Sequence, residues 1–134
     1  MALHNKIGAW GEKITMEYFL RKGYAIVARN DVEGNRRNEI DLIVSKENRI
    51  VFVEVKTRTR KDEDPIHSIT RQKRTNMLKA GITYLKAHPY PPLEPQFDLF
   101  FINGDENDYS IEHLEDVFLP PLIRYGSDGA HIDC

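Results

Sequence analysis

Between Ala2 and Lys22 the apolar residues Leu3, Ile7, Trp10, Ile14 and Tyr18 recur every three or four positions, the spacing of one stripe along a helix. Gly23 stands where a C-capping glycine belongs. The period then changes to two. Residues 24–30 (YAIVARN) are rich in β-formers and predict a first strand, and 31–38 (DVEGNRRN) have the Gly, Asn and Asp content of a loop. Residues 39–45 (EIDLIVS) alternate strictly and predict a second strand, with Ile40, Leu42 and Val44 on one side and Glu39, Asp41 and Ile43 on the other. KENR makes a tight turn. Residues 50–58 (IVFVEVKTR) form the third strand, Val51, Val53 and Val55 facing one way and Phe52, Glu54 and Lys56 the other.

The charged stretch TRKDEDP, containing Pro65, predicts a second loop. Helical spacing resumes through Met77, Leu78, Gly81, Ile82 and Leu85 and stops at Pro89. Residues 96–102 (QFDLFFI) predict a fourth strand, parallel to the third and reached by a right-handed crossover. GDEND turns the chain into a short fifth strand near YSIEHL, a small appendage. Three consecutive strands followed by a helix and another strand predict an α/β fold with a mixed sheet and helices on its faces.

A chain of 134 residues has room for one core, expected over residues 1–126, with residues 127–134 as a frayed tail. With 40% hydrophobic and 30% charged residues it has the composition of a folded domain. It carries no apolar run long enough for a membrane span and no secretory signal, which points to the cytoplasm. Cys134 is the one cysteine, so a CxxC zinc or redox site is excluded. The net charge of -2 conceals an asymmetry: residues 1–93 carry 18 Lys and Arg against 11 Asp and Glu, and residues 94–134 carry 1 against 10. A basic body with an acidic end fits either solvated surface or a side that faces nucleic acid.

If the turn is centred on Glu47 and Asn48, Asp41 falls opposite Glu54 and Glu39 opposite Lys56. Two ionised carboxylates about 4 Å apart repel by roughly 4 kcal/mol at an effective dielectric near 20. Solvent, a shared proton or a cation must offset that. A hard divalent ion, magnesium or manganese, suits two carboxylates completed by waters. Lys56, about 7 Å along the strand from Glu54, could then stabilise charge on a phosphate. Glu12 follows Gly8 by one turn, where the missing side chain leaves room for a third acid. The blander alternatives stand beside these: VEVK as the wet face of a strand, Glu39 and Lys56 as an ion pair, Glu12 turned to water. Basic residues surround the acids in sequence, with Arg36 and Arg37 before them and Arg58 and Arg60 after. Arg71, Gln72, Lys73 and Arg74 open the second helix, where cations oppose the dipole unless phosphates lie near. The five histidines show no ligand spacing.

Through GAWGE, GYAIVARN, NEIDLIV and VFVEVKTR, and more weakly FDLFFI and IEHLEDVF, the chain resembles the YraN-like bacterial family. That family is itself similar to Holliday junction resolvases of the restriction-endonuclease-like PD-(D/E)xK superfold. The resemblance implies an α-β-β-β-α-β core, a DNA endonuclease active on branched or damaged DNA, and working dimers among its relatives. It also implies Asp41 and Glu54 as magnesium ligands, Lys56 beside the attacking water and Glu12 as an additional acid. Two alternatives remain: a non-catalytic nucleic-acid-binding or scaffold protein that retains the fold, and an interaction module that works through the acidic end.

Overall fold

The computed structural model describes residues 2–29, 40–58 and 69–118, the first seven of these by backbone alone. The elements run α1 (Ala2–Arg21), β1 (Ala25–Arg29), β2 (Leu42–Lys46), β3 (Arg49–Arg58), α2 (Arg71–Ala87), β4 (Glu94–Asp105) and β5 (Asp108–Leu114). They form a mixed α/β fold. The strands make one sheet in the order β1-β2-β3-β4-β5, with β3 and β4 parallel and the other neighbours antiparallel.

Local chemistry explains the boundaries. Gly23 ends α1 with φ of 92°, its N–H donating to Leu20 O while the Tyr24 N–H reaches Phe19 O. This is the paired capping that a left-handed glycine permits. The β2–β3 turn is the tight one predicted, Lys46 facing Arg49 across Glu47 and Asn48. Glu47 takes a positive φ of 57° there. At the β4–β5 turn, Asp105 Oδ1 accepts the N–H groups of Asn107 and Asp108, so the side chain holds the turn's backbone.

Each face of the sheet is covered by a helix. Under α2 lie Ile43, Ile50, Phe52, Phe97, Leu99 and Phe101 with Met77, Leu78 and Phe118. Under α1 lie Leu42, Val44, Val51, Val53, Phe100 and Ile102 with Phe19. Gly81 sets the seat of α2: a β-carbon there would stand 2.6 Å from Phe97 Cζ. Gly11 does the same for α1, where a β-carbon would meet Thr57 Cγ2 at 2.5 Å. Among the described residues no helix is long and apolar enough to cross a membrane.

Two expectations are corrected. The alternation read over residues 39–45 placed Ile40 beside Leu42 and Val44, but the ladder begins only at Leu42. Ile40 instead packs with Phe52 and Phe97 under α2, on the opposite side from those two residues. The fifth strand is no appendage. All seven of its residues pair with β4, and its weak sequence signal reflects an edge strand that is largely exposed. The expected pairing of Glu39 with Lys56 and the expected tail at 127–134 lie outside the described residues.

Candidate active site

The β2–β3 register is the one the turn predicted as far as Leu42 with Val53, and just past the end of the ladder the Asp41 side chain comes beside that of Glu54. There β2 leaves the ladder. The Asp41 N–H still donates to Val53 O (3.1 Å), and its carboxylate Oδ2 accepts the Val55 N–H (2.9 Å), supplying a partner that the departed strand no longer offers. Because side chains alternate along β3, Glu54 shares the α2 face with Ile50 and Phe52.

Glu54 is only 5% exposed. Its Oε2 lies 3.3 Å from Lys73 Nζ, and its Oε1 is buried without a hydrogen-bond partner. Burial pushes its carboxyl up to about 8, and the neighbouring Asp41 carboxylate pushes in the same direction while Lys73 opposes both. The two acids therefore converge on one place.

Lys73 is brought there by the start of α2. Thr70 caps the helix, its hydroxyl accepting the Lys73 N–H at 3.0 Å, and the first turn contains no acid. Glu54 supplies the negative charge that this cationic turn lacks. Lys56 stands two residues beyond Glu54 on the same face of β3, half-buried. Arg58 follows, its guanidinium 4.6 Å from the centroid of Phe101. Arg71 is exposed and Arg74 half-buried. Gln72 turns along the helix and donates to Asn76 Oδ1 (2.9 Å).

Glu12 sits half-buried on α1, next to the Gly11 contact with Thr57, so it comes from the helix on the opposite face of the sheet from Glu54. Among the described residues no group of three or more His, Cys, Asp or Glu side chains is placed to hold a metal ion, and Asp41 with Glu54 is the acid pair brought together. Arg36, Arg37 and Arg60 lie outside the described residues. Two carboxylates, one with a buried oxygen that no donor satisfies, match the hard oxygen donors that magnesium or manganese takes.

One cluster was missed in the sequence. On the α1 face Asp98, 1% exposed, accepts from Gln96 Nε2 and the Asp116 N–H on Oδ1 and meets His113 Nε2 on Oδ2 at 2.7 Å. His113 Nδ1 is 3.0 Å from the Tyr18 hydroxyl, and Arg49 donates to Gln96. The signal was Asp98 itself: an acid within the apolar run QFDLFFI must find partners once buried.

A small α/β protein with a helix on each face of a five-stranded mixed sheet, and a buried acid pair at the end of a hairpin, is the class that fold and site define. The chain belongs to the uncharacterised protein family UPF0102, whose model matches residues 11–102, a span that includes Glu12, Asp41, Glu54, Lys56 and Lys73. A UPF0102 protein of Syntrophomonas wolfei is 37% identical over 117 residues, covering 87% of this chain and 100% of that protein. Similar proteins of Chlorobium phaeobacteroides (32% identical, 84% and 94% covered) and Bacteroides fragilis (36%, 92% and 100%) extend the likeness to other bacteria.

Proposed function

We propose that this protein is a metal-dependent endonuclease that hydrolyses DNA phosphodiester bonds, with branched or damaged DNA as the substrate class that the resemblance to resolvases suggests. The observation that carries the reading is Glu54. A carboxyl raised to about 8 by burial and by a second carboxylate ionises at neutral pH only at a cost, which a bound cation would remove, and its Oε1 lacks a donor and is open to such an ion.

Asp41 and Glu54 would hold magnesium or manganese without Glu12, which comes from the other face of the sheet; the ion would supply positive charge to acidify a water and to offset charge gathering on phosphorus. The protein's own groups provide the rest. The Val55 N–H fixes the Asp41 carboxylate. Lys56, next along the same face, directs its ammonium toward the phosphate that approaches the pair, stabilising negative charge on the oxygens during attack. Arg58, laid on Phe101, with Arg71 and Arg74 at the start of a 17-residue helix, holds flanking phosphates where the helix dipole also favours anions.

Nicking of linear duplex and four-way-junction DNA with magnesium or manganese tests this, comparing wild type with Asp41→Ala and Lys56→Ala. Both variants are expected to lose at least about 100-fold in rate, the order expected for a lost group that stabilises transition-state charge. Cleavage that survives both substitutions removes the assignment. The second reading, a non-catalytic DNA-binding or scaffold protein, draws on the structural uses of the same acids: Asp41 serves the Val55 amide and Glu54 pairs with Lys73. It predicts salt-sensitive DNA binding by wild type without strand cleavage.

A further inference from the structure

Lys73 belongs to the cationic first turn of α2, yet its ammonium lies inside the acid site, 3.3 Å from the buried Glu54 Oε2. Thr70 fixes its backbone and the helix fixes its origin, so only the side chain is left to move. A divalent ion held by Glu54 and Asp41 and an ammonium on that same Glu54 carboxylate are like charges at close range, and in a poorly solvated site they repel strongly. An ion drawn to the free Oε1 therefore weakens the hold of Oε2 on the ammonium. The first turn of α2 also carries the exposed Arg71 and the half-buried Arg74, so a displaced Lys73 would stand in a cationic turn suited to a phosphate of bound DNA.

We propose that Lys73 is a positioning residue that exchanges partners: its amine holds Glu54 in the metal-free protein and passes to a DNA phosphate when a divalent cation takes Glu54. The proposal rests on the nuclease reading above and deepens it. Metal and DNA binding are then coupled through one side chain, each favouring the other. Without metal, Lys73 screens the acids from one another and contributes nothing to DNA affinity.

The salt dependence of DNA binding separates this from an ordinary phosphate contact, because each lysine on a duplex phosphate adds about 0.9 to the slope of log K against log salt. The duplex is titrated into wild type, Lys73→Met, Lys73→Arg and Arg71→Ala, once with a chelator and once with calcium, an ion that takes the same oxygen donors. DNA integrity is checked on a gel. In calcium, Lys73→Met is expected to have a slope shallower than wild type by about 0.9, an affinity change of roughly three- to fourfold between 50 and 200 mM salt. With the chelator the two slopes coincide. Lys73→Arg keeps the calcium slope, and Arg71→Ala flattens it under both conditions. Glu54→Gln should release Lys73 without any metal, steepening the chelator slope by about 0.9, a gain that disappears in the double variant with Lys73→Met.

Equal loss of slope in chelator and calcium overturns the proposal and makes Lys73 a plain phosphate anchor. No loss in either overturns it in favour of a purely structural ion pair. Should wild type bind neither duplex nor four-way junction under any of these conditions, the nuclease reading itself is overturned and the Lys73 exchange with it.

Discussion

At Glu54 an ionised carboxylate is disfavoured by burial and by Asp41, and the nearby Lys73 offsets only part of that. Its folded value of about 8 lies above the ordinary 4.5 of a free glutamate, which stands for the unfolded chain, so the folded state holds the proton more tightly. The stability this contributes is full below about pH 4.5 and is lost as pH rises through about 8. Glu54→Gln cannot ionise. Its melting temperature relative to wild type is therefore expected to climb between pH 5 and pH 9, by roughly 4 °C for each kcal/mol of penalty removed. Saturating magnesium should shrink the difference by relieving wild type; a difference that stays flat with pH would show that the site does not strain Glu54. The approach of Asp41 to Glu54 was legible because a two-residue turn fixes the register up to Leu42 and Val53, although the ladder itself ends there. The Lys73 contact was not, because how a helix sits on a sheet depends on packing partners far apart in sequence.

Among the elements, α2 depends most on its first turn. The Thr70 hydroxyl satisfies the Lys73 N–H, and Thr70→Ala leaves that donor to solvent at a cost of about 1 kcal/mol. Thermal melts should show that loss, while Thr70→Ser, which keeps the acceptor, should retain nearly all the stability. Metal titrations of Thr70→Ala should also shift, since fraying the turn loosens Lys73 from Glu54. Strand and helix positions were readable wherever one periodicity held. The reading failed where a ladder ended, at Ile40, since nothing in EIDLIVS marks the residue at which two strands part. It also undervalued β5, where exposure on an edge removes the apolar alternation that identifies buried strands.

Taken whole, the molecule assigns separate tasks to its two faces. Beneath α2 lies the acid pair with its amines; beneath α1, the Asp98–His113–Tyr18 chain ties the first helix to β4 and β5. Asp98→Ala and His113→Ala break a satisfied buried network and should each cost about 2–4 kcal/mol in denaturant unfolding. Metal affinity at Asp41 and Glu54 should remain within about twofold, because additivity holds for sites without shared partners. A large loss of metal affinity in either variant would mean that the two faces communicate. The charge asymmetry acquires a spatial meaning as well. Exposed Asp105, Glu106, Asp108 and Glu112 lie on the β4–β5 hairpin at one edge of the sheet, whereas Lys56, Arg58, Lys73 and Arg74 gather at the end of β3 and the start of α2. Under the nuclease reading, this distribution would turn a polyanion away from the hairpin and toward the acid pair's surroundings, an orientation that the near-neutral total charge conceals.

Gly81 sets how closely α2, the helix that carries the amine, seats on the sheet. It lies eight residues from Lys73, about 12 Å along a rigid rod, and rests on Phe97, whose ring is stacked between Phe52 and Phe118 and has nowhere to retreat. A methyl group at this fulcrum would tip the rod and swing its far end, altering the gap at Glu54 without changing any charged atom. Substitutions that impair this site should therefore include ones buried in wholly apolar surroundings.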